Sequence, residues 1–121
     1  MTSDEVLRAY AVGRRDFRAI DLEPQSPDQA VADFSHQTLD DADFSGAFVV
    51  AHFKRASLRR TRFVGANLKT CTFDGANLTE ADLSGAALCA TTFADAVLDG
   101  ARFEGASYHS HVLGPHERPD W

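Results

Sequence analysis

From Phe53 to Leu113 every fifth residue is apolar, beginning Phe53, Leu58, Phe63, Leu68, Phe73 and ending Phe103, Tyr108, Leu113. Two places before each centre stands a mostly small residue, such as Ala56, Thr61, Ala66, Cys71, Ala76 or Thr91. Upstream, Phe34, Leu39 and Phe44 keep the same beat. A period of five fits neither the roughly 3.6-residue repeat of a helix nor the roughly 2-residue repeat of a long strand. Within a unit, however, the small residue and the centre are two apart, as two inward side chains of a short extended segment are. The residue between them and the one after then face outward. The last place is a corner, and Gly46, Gly65, Gly75, Gly85, Gly100 and Gly105 fall there, where unusual backbone angles are cheap for glycine. Each pentad therefore predicts one short side and one turn.

The alternation of Phe and Leu sets how many sides close a turn of the winding. At a lag of twenty, Phe53, Phe73 and Phe93 align, and so do Leu58, Leu78 and Leu98. Across residues 42–60 the lag falls to nineteen, pairing Phe34 with Phe53, Leu39 with Leu58 and Phe44 with Phe63. Four pentads thus make one coil, with like side chains stacked on like. Where the beat drops one residue, at "AFVVAHF", two registers are open: Val49 inward with Phe48 outward, or the reverse. In the first, Phe48 stands in a column with Asn67, Ala87 and Ser107.

The stretches "GANL", "GANLTEADLSGAAL" and "ADFSGA" closely follow A-(D/N)-L-x-x, and on them the chain resembles the pentapeptide-repeat family. The resemblance covers residues 32–113, with "RDFRAIDLEP" as two candidate earlier units. It implies an all-β fold, a right-handed quadrilateral parallel β-helix, here of about four coils. The expected organisation is a capping helix at 1–13, a first partial coil with an inserted loop at 14–31, the β-helix at 32–113 and a tail at 114–121. The helix expectation rests on residues: Thr2 and Glu5 form a capping box, Gly13 ends the helix, and Val6, Leu7 and Tyr10 share one face. The sides occupied by Phe17 and Leu22 stay open. In the tail, Leu113 and Trp121 are expected to fold over the last coil, or the bare end to pair with a second copy.

Charge narrows the function. With 18 acidic and 12 basic residues the net charge is −6, which argues against direct nucleic-acid binding. No apolar run has the length of a membrane span and no signal peptide opens the chain, so a cytoplasmic protein is expected. Cys71 should face inward and Cys89 outward, without a disulfide. One basic cluster stands out: Lys54, Arg55, Arg59, Arg60, Arg62 and Lys69. The stacking predicts that most of it is neutralised, with Asp40 on Arg59, Asp41 on Arg60 and then Glu80, Lys54 on Asp74, and a ladder Asp43–Arg62–Asp82–Arg102. Arg55, beside His36 and Gly75, is the least neutralised. His109, His111 and His116 lack the spacing that would organise a metal site.

No catalytic order of side chains, phosphate loop or deep cleft is expected, so neither an enzyme nor a cofactor is predicted. The leading expectation is a rigid interaction or scaffold module with an unidentified protein partner. Its candidate contact residues are Phe48, Val50, Arg55, Arg59 and Arg60. An exposed Phe48 would mark a partner surface; the plainer expectation is that the inserted loop or the N-terminal helix covers it. Homodimerisation through the C-terminal end is a further option. The specific alternative is a DNA-mimicking modulator of a type II topoisomerase, because the resembled family includes fluoroquinolone-resistance proteins that act on gyrase. The acidic stretch 70–104 fits that alternative, while the basic middle coil counts against it.

Overall fold

The computed structural model describes residues 1–119. The pentads form short extended sides joined by tight turns, and each side pairs in parallel with the side one turn of the winding away. β1 (Ala32–Asp33) pairs with β2 (Ala51–His52), and single bridges carry the same register along the chain. Thr38–Ser57, Asp43–Arg62 and Phe48–Asn67 step by 19 residues, whereas His52–Thr72, Ser57–Asn77 and those after them step by 20. The backbone accounting is regular. An inward centre donates its N–H to the outward residue of the next layer, as Phe63 does to the Asp82 carbonyl at 2.7 Å. That outward residue donates back to the small inward residue below, as Asp82 does to the Thr61 carbonyl at 2.9 Å.

Four sides result, numbered here by their inward residues in chain order. Side 1 carries Phe17, Phe44, Phe63, Leu83 and Phe103; side 2 carries Leu22, Val49, Leu68 and Leu88. Side 3 carries Phe34, Phe53, Phe73 and Phe93; side 4 carries Leu39, Leu58, Leu78 and Leu98. All of these are buried. Strand spacing of about 4.8 Å fixes the ring spacing. Phe34, Phe53, Phe73 and Phe93 therefore stack at 5.2, 4.9 and 5.2 Å, while Phe53 and Phe73 meet Phe63 edge-on at 6.0 and 5.8 Å. The two open positions are assigned: Phe17 stacks 5.3 Å from Phe44, and Leu22 donates its N–H to the Phe48 carbonyl at 2.7 Å. Residues 23–31 form the inserted loop between sides 2 and 3 of this first layer, which lengthens its step to 27 residues (Asp16–Asp43, Asp21–Phe48).

The polar place of the repeat has a structural task beyond solvation. Asp33, Asp43 and Asp82 accept the N–H two residues on, from Ser35, Ser45 and Ser84, at 2.9, 2.9 and 3.0 Å. Asn77 does the same for Thr79 at 3.1 Å. These Asx turns satisfy a backbone donor that the ladder leaves over, which is why Asp and Asn precede the centre. The turn is then closed by a bond such as Ala66 N–H to the Phe63 carbonyl at 3.1 Å, with Gly65 at φ +66°, the pattern of a type II turn. Asp41, Arg55, Arg60, Glu80, Ala90 and Asp95 hold the same left-handed place at φ between 55° and 66°. Neighbouring layers thus impose on ordinary residues a conformation that costs them roughly 1–2 kcal/mol each in isolation.

The dropped beat falls at the corner between sides 2 and 3. Only Val50 separates the inward Val49 from the inward Ala51, so the left-handed turn residue is missing there. The buried Cys71 thiol donates to the Val49 carbonyl at this irregular corner at 3.2 Å, and one layer further on the Thr91 hydroxyl donates to the Leu68 carbonyl.

At the start of the chain, α1 (Ser3–Ala11) has the expected reciprocal capping box between Thr2 and Glu5, and Gly13 follows it at φ +104°. Val6 is buried, Leu7 and Tyr10 pack on the same core cluster, and the Tyr10 hydroxyl donates to the Asp40 carbonyl at 2.9 Å. At the other end the apolar beat outlasts the winding. β3 (Ser107–Tyr108) turns back into β4 (His111–Val112) as an antiparallel hairpin, so Leu113 does not make a further parallel side. Leu113 is instead buried by folding back, donating to the Ala106 carbonyl at 2.8 Å and accepting from Gly105 at 2.7 Å. Trp121, expected beside it, lies outside the described residues. Among the described residues no helix is long and apolar enough to cross a membrane.

Two outcomes test this packing. Phe73→Ala should lower stability by about 3–5 kcal/mol in chemical denaturation, since rings above and below are held apart by the ladder and cannot close the gap. Burial pushes the Cys71 thiol up to about 12, whereas Cys89 is exposed. A maleimide should therefore label one thiol of the native protein, Cys89, and both after unfolding.

Candidate functional site

The interior is filled by the Phe, Leu and Ala ladders, so any recognition falls to the outer faces. The expected contact residues do not form one patch. Phe48 and Val50 lie on side 2, Arg55 at the corner after side 3, and Arg59 and Arg60 at the corner after side 4, on the far side of the rod.

Arg59 and Arg60 belong to the charge ladders. Arg60 reaches Asp41 of the layer below at 2.7 Å, Arg59 reaches Asp40 at 3.4 Å, and Arg62 reaches Asp43 at 3.8 Å. The Asp43–Arg62–Asp82–Arg102 column exists as backbone bridges between successive layers. Other stacked charges stop short of contact. Among the described residues Lys54 and Asp74, and Arg60 and Glu80, are not within ion-pair distance. Arg55 likewise has no ion pair there; its aliphatic stem fills the space over Gly75, 3.0 Å from where a Cβ would stand. The cluster is thus neutralised at Arg59, Arg60 and Arg62 and left unpaired at Lys54, Arg55 and Lys69.

Side 2 has the opposite character. Val49 takes the inward place and Phe48 the outward one, with Phe48 bridged to Asp21 below and Asn67 above. Phe48 is 48% exposed, while the other eight phenylalanines are buried. It stays half exposed although the chain start and the inserted loop both reach the residue below it, where the Met1 amino group donates to the Asp21 carbonyl at 3.0 Å and the Gln25 amide donates to the Asp21 carboxylate at 3.2 Å, so the plainer expectation of a covered Phe48 is corrected. Beside and above Phe48 the face is built of small residues, with Lys69 in the layer above and Glu23 in the layer below as its long side chains. Asn67, Ala87 and Ser107 continue its column, Gly46, Gly65, Gly85 and Gly105 line one edge, and the half-buried Val50 lies on the other.

The C-terminal histidines do not converge. His111 pairs with Glu117 at 2.7 Å, and Glu117 also accepts the Gly114 N–H at 2.8 Å. Those two bonds hold the Glu117 carboxyl below its ordinary range. Among the described residues no three His, Cys, Asp or Glu side chains are placed to hold a metal ion. The Asx turns are what reading for catalytic motifs overlooks; the fixed place of Asp or Asn before each centre is their signal.

A rod of stacked pentads with a solid interior and patterned flat sides defines a β-solenoid. The pentapeptide-repeat model matches eight copies at residues 51–75 and 71–107, and the chain belongs to that family, whose members wind as right-handed β-helices. Among solved structures it is similar to alr5209, a pentapeptide repeat protein from Nostoc Pcc 7120, at 26% identity and a TM-score of 0.53, over 97% of this chain and 88% of that one. It is also matched to a pentapeptide repeat protein of the Arabidopsis thaliana thylakoid lumen (29% identity, TM-score 0.34, 79% of this chain and 67% of that one). A third match is QnrB1, a plasmid-mediated fluoroquinolone resistance protein (21% identity, TM-score 0.46, 78% of this chain and 53% of that one). Among curated proteins none matches the chain.

The Arg60 guanidinium holds the Asp41 carboxyl below its ordinary range. A lowered folded-state value means that the pair contributes above the unfolded value, near about 3.9, and loses its contribution as pH falls through the lower folded value. The stability difference between wild type and Arg60→Ala should accordingly be small at neutral pH and vanish in acid below that range. It should also shrink in about 1 M salt, because the pair is exposed.

Proposed function

We propose that this protein is a non-enzymatic interaction module, a stiff rod of about four coils closed at its start by α1, that recognises a protein partner through side 2. One observation carries this reading: Phe48 stands half exposed on a flat face while every other phenylalanine is inside. Desolvating an aromatic side chain of that size is the ordinary source of binding energy at a recognition surface. The rod gives such a contact little entropy to lose, since the face is braced by backbone bonds on both sides of each layer. Arg55, unpaired at its corner, is a second candidate contact, whereas Arg59 and Arg60 serve the register of the winding. The net charge of −6 argues against direct nucleic-acid binding.

The DNA-mimic alternative asks for a continuous acidic face. The Asp43–Arg62–Asp82–Arg102 column alternates in sign instead, which favours the general module. Two measurements test the choice. In a pull-down from the native host, Phe48→Ala should lose partners that wild type and Arg60→Glu retain; identical recoveries from all three would refute side 2 as the contact. In a gyrase supercoiling assay, protein well above stoichiometric amounts should neither inhibit nor protect. Inhibition would move the assignment to the topoisomerase alternative.

A further inference from the structure

The two outward columns of side 2 that carry its apolar residues have a further pattern. One reads Asp21, Phe48, Asn67 from layer to layer. One residue beyond each inward centre stand Glu23, at the first place of the inserted loop, Val50 and Lys69; Glu23 and Lys69 hold equivalent places, donating their N–H to Asp21 at 2.9 Å and to Asn67 at 3.4 Å. The layer below the apolar pair carries the Asp21 and Glu23 carboxylates, with the Met1 amino group 3.0 Å from the Asp21 carbonyl, and the layer above it carries Lys69. Neither Glu23 nor Lys69 has an ion-pair partner among the described residues. The ladders elsewhere pair charges within the chain; here two opposite charges stand two layers apart with an apolar layer between them.

That arrangement is complementary to itself under one symmetry operation. Take a two-fold axis lying in the face and running along the strand direction of the Phe48 layer. It sets two rods antiparallel and face to face, keeps each column opposite its own copy, and exchanges the layer below for the layer above. Phe48 then meets the partner's Phe48, and Val50 the partner's Val50. Glu23 faces the partner's Lys69, and Lys69 the partner's Glu23. The glycine edge, with Ala87, keeps the rest of the face low enough for two rods to approach. A parallel two-fold would leave the acidic layer opposite the acidic layer. We propose that side 2 is the contact of an antiparallel homodimer, centred on Phe48 and held in register by two Glu23–Lys69 pairs. This rests on the reading of side 2 as an interaction surface and names a second copy of this chain as its occupant.

One side of a short rod is smaller than a standard interface, so the dimer is a weak one, with dissociation on the order of 100 µM. Sedimentation equilibrium of the full chain, from about 10 µM to about 1 mM, brackets that range. Wild type should show reversible monomer–dimer exchange, and Phe48→Ala should weaken it about ten-fold or more. Glu23→Lys and Lys69→Glu should each weaken it several-fold, since each places like charges opposite one another. The double variant Glu23→Lys/Lys69→Glu should return to within about two-fold of wild type, because the pairs are re-formed with reversed sign. All three positions are exposed, and circular dichroism checks that the variants fold.

A wild type that stays monomeric throughout overturns the inference. So does a dimer indifferent to Phe48→Ala, which would place the contact elsewhere, such as the C-terminal end. A double variant no better than the singles removes the antiparallel arrangement. A monomeric wild type whose Phe48-dependent capture of another protein persists would sink the dimer and leave the proposed function standing. Loss of Phe48 dependence in both experiments would sink both.

Discussion

The structure depends on one constraint, the parallel backbone bonding of each side to the side one layer away. Those bonds hold successive layers at a strand spacing of about 4.8 Å and place each residue over its counterpart. A centre has no freedom to look for a better neighbour. It packs against whatever the register sets over it, and on sides 3 and 4 the sequence answers by stacking Phe on Phe and Leu on Leu, while side 1 sets Leu83 between Phe63 and Phe103. The same constraint holds ordinary residues such as Arg60 and Glu80 at left-handed angles, and it turns Asp43 and Asp82 into donors' partners for their own turns.

Outside the rod, strict superposition makes every charge answerable to the layers above and below. A run of like charges up one column would repel at strand spacing. Alternation is the stable solution, and the column adopts it from Asp43 through Arg62 and Asp82 to Arg102, while Asp16, stacked below Asp43, is paired within its own layer with Arg18. Recognition then has to come from places where the rule is relaxed. Side 2 is such a place: its middle holds an aromatic ring and a valine rather than a charge, and its edge is built of glycine.

Most of the architecture was legible, since period, lag and the inward pair two residues apart all follow from the beat. The partners of Arg59, Arg60 and Arg62 were legible for the same reason, as was the burial of Cys71. What periodicity could not supply were the choices it leaves equivalent. Val49 and Phe48 compete for one inward place, and the answer depends on Gly46 being needed at the corner and Ala47 inside it. Tyr108 and Leu113 keep the beat although the chain reverses between them, because a hairpin can also bury a residue five places on. Exposure of Phe48 was missed because it depends on where the loop after Leu22 goes, and a loop carries no period. The unequal pairing of the basic cluster depends on side-chain reach, which column membership does not express.

The missing residue between Val49 and Ala51 has a consequence for how the chain finds its fold. In an unbroken twenty-residue repeat, a layer that docked one turn too early or too late would meet the same pattern of centres, and the error would be hard to detect. A long insertion below the dropped beat and an even twenty above it give the three steps different lengths. A mis-wound layer therefore puts corners against sides and fails to bond. The irregular corner acts as an index mark, and the bond of the Cys71 thiol to its Val49 carbonyl makes the correct docking distinguishable from its neighbours. An otherwise repetitive chain acquires in this way a unique origin from which its winding is counted.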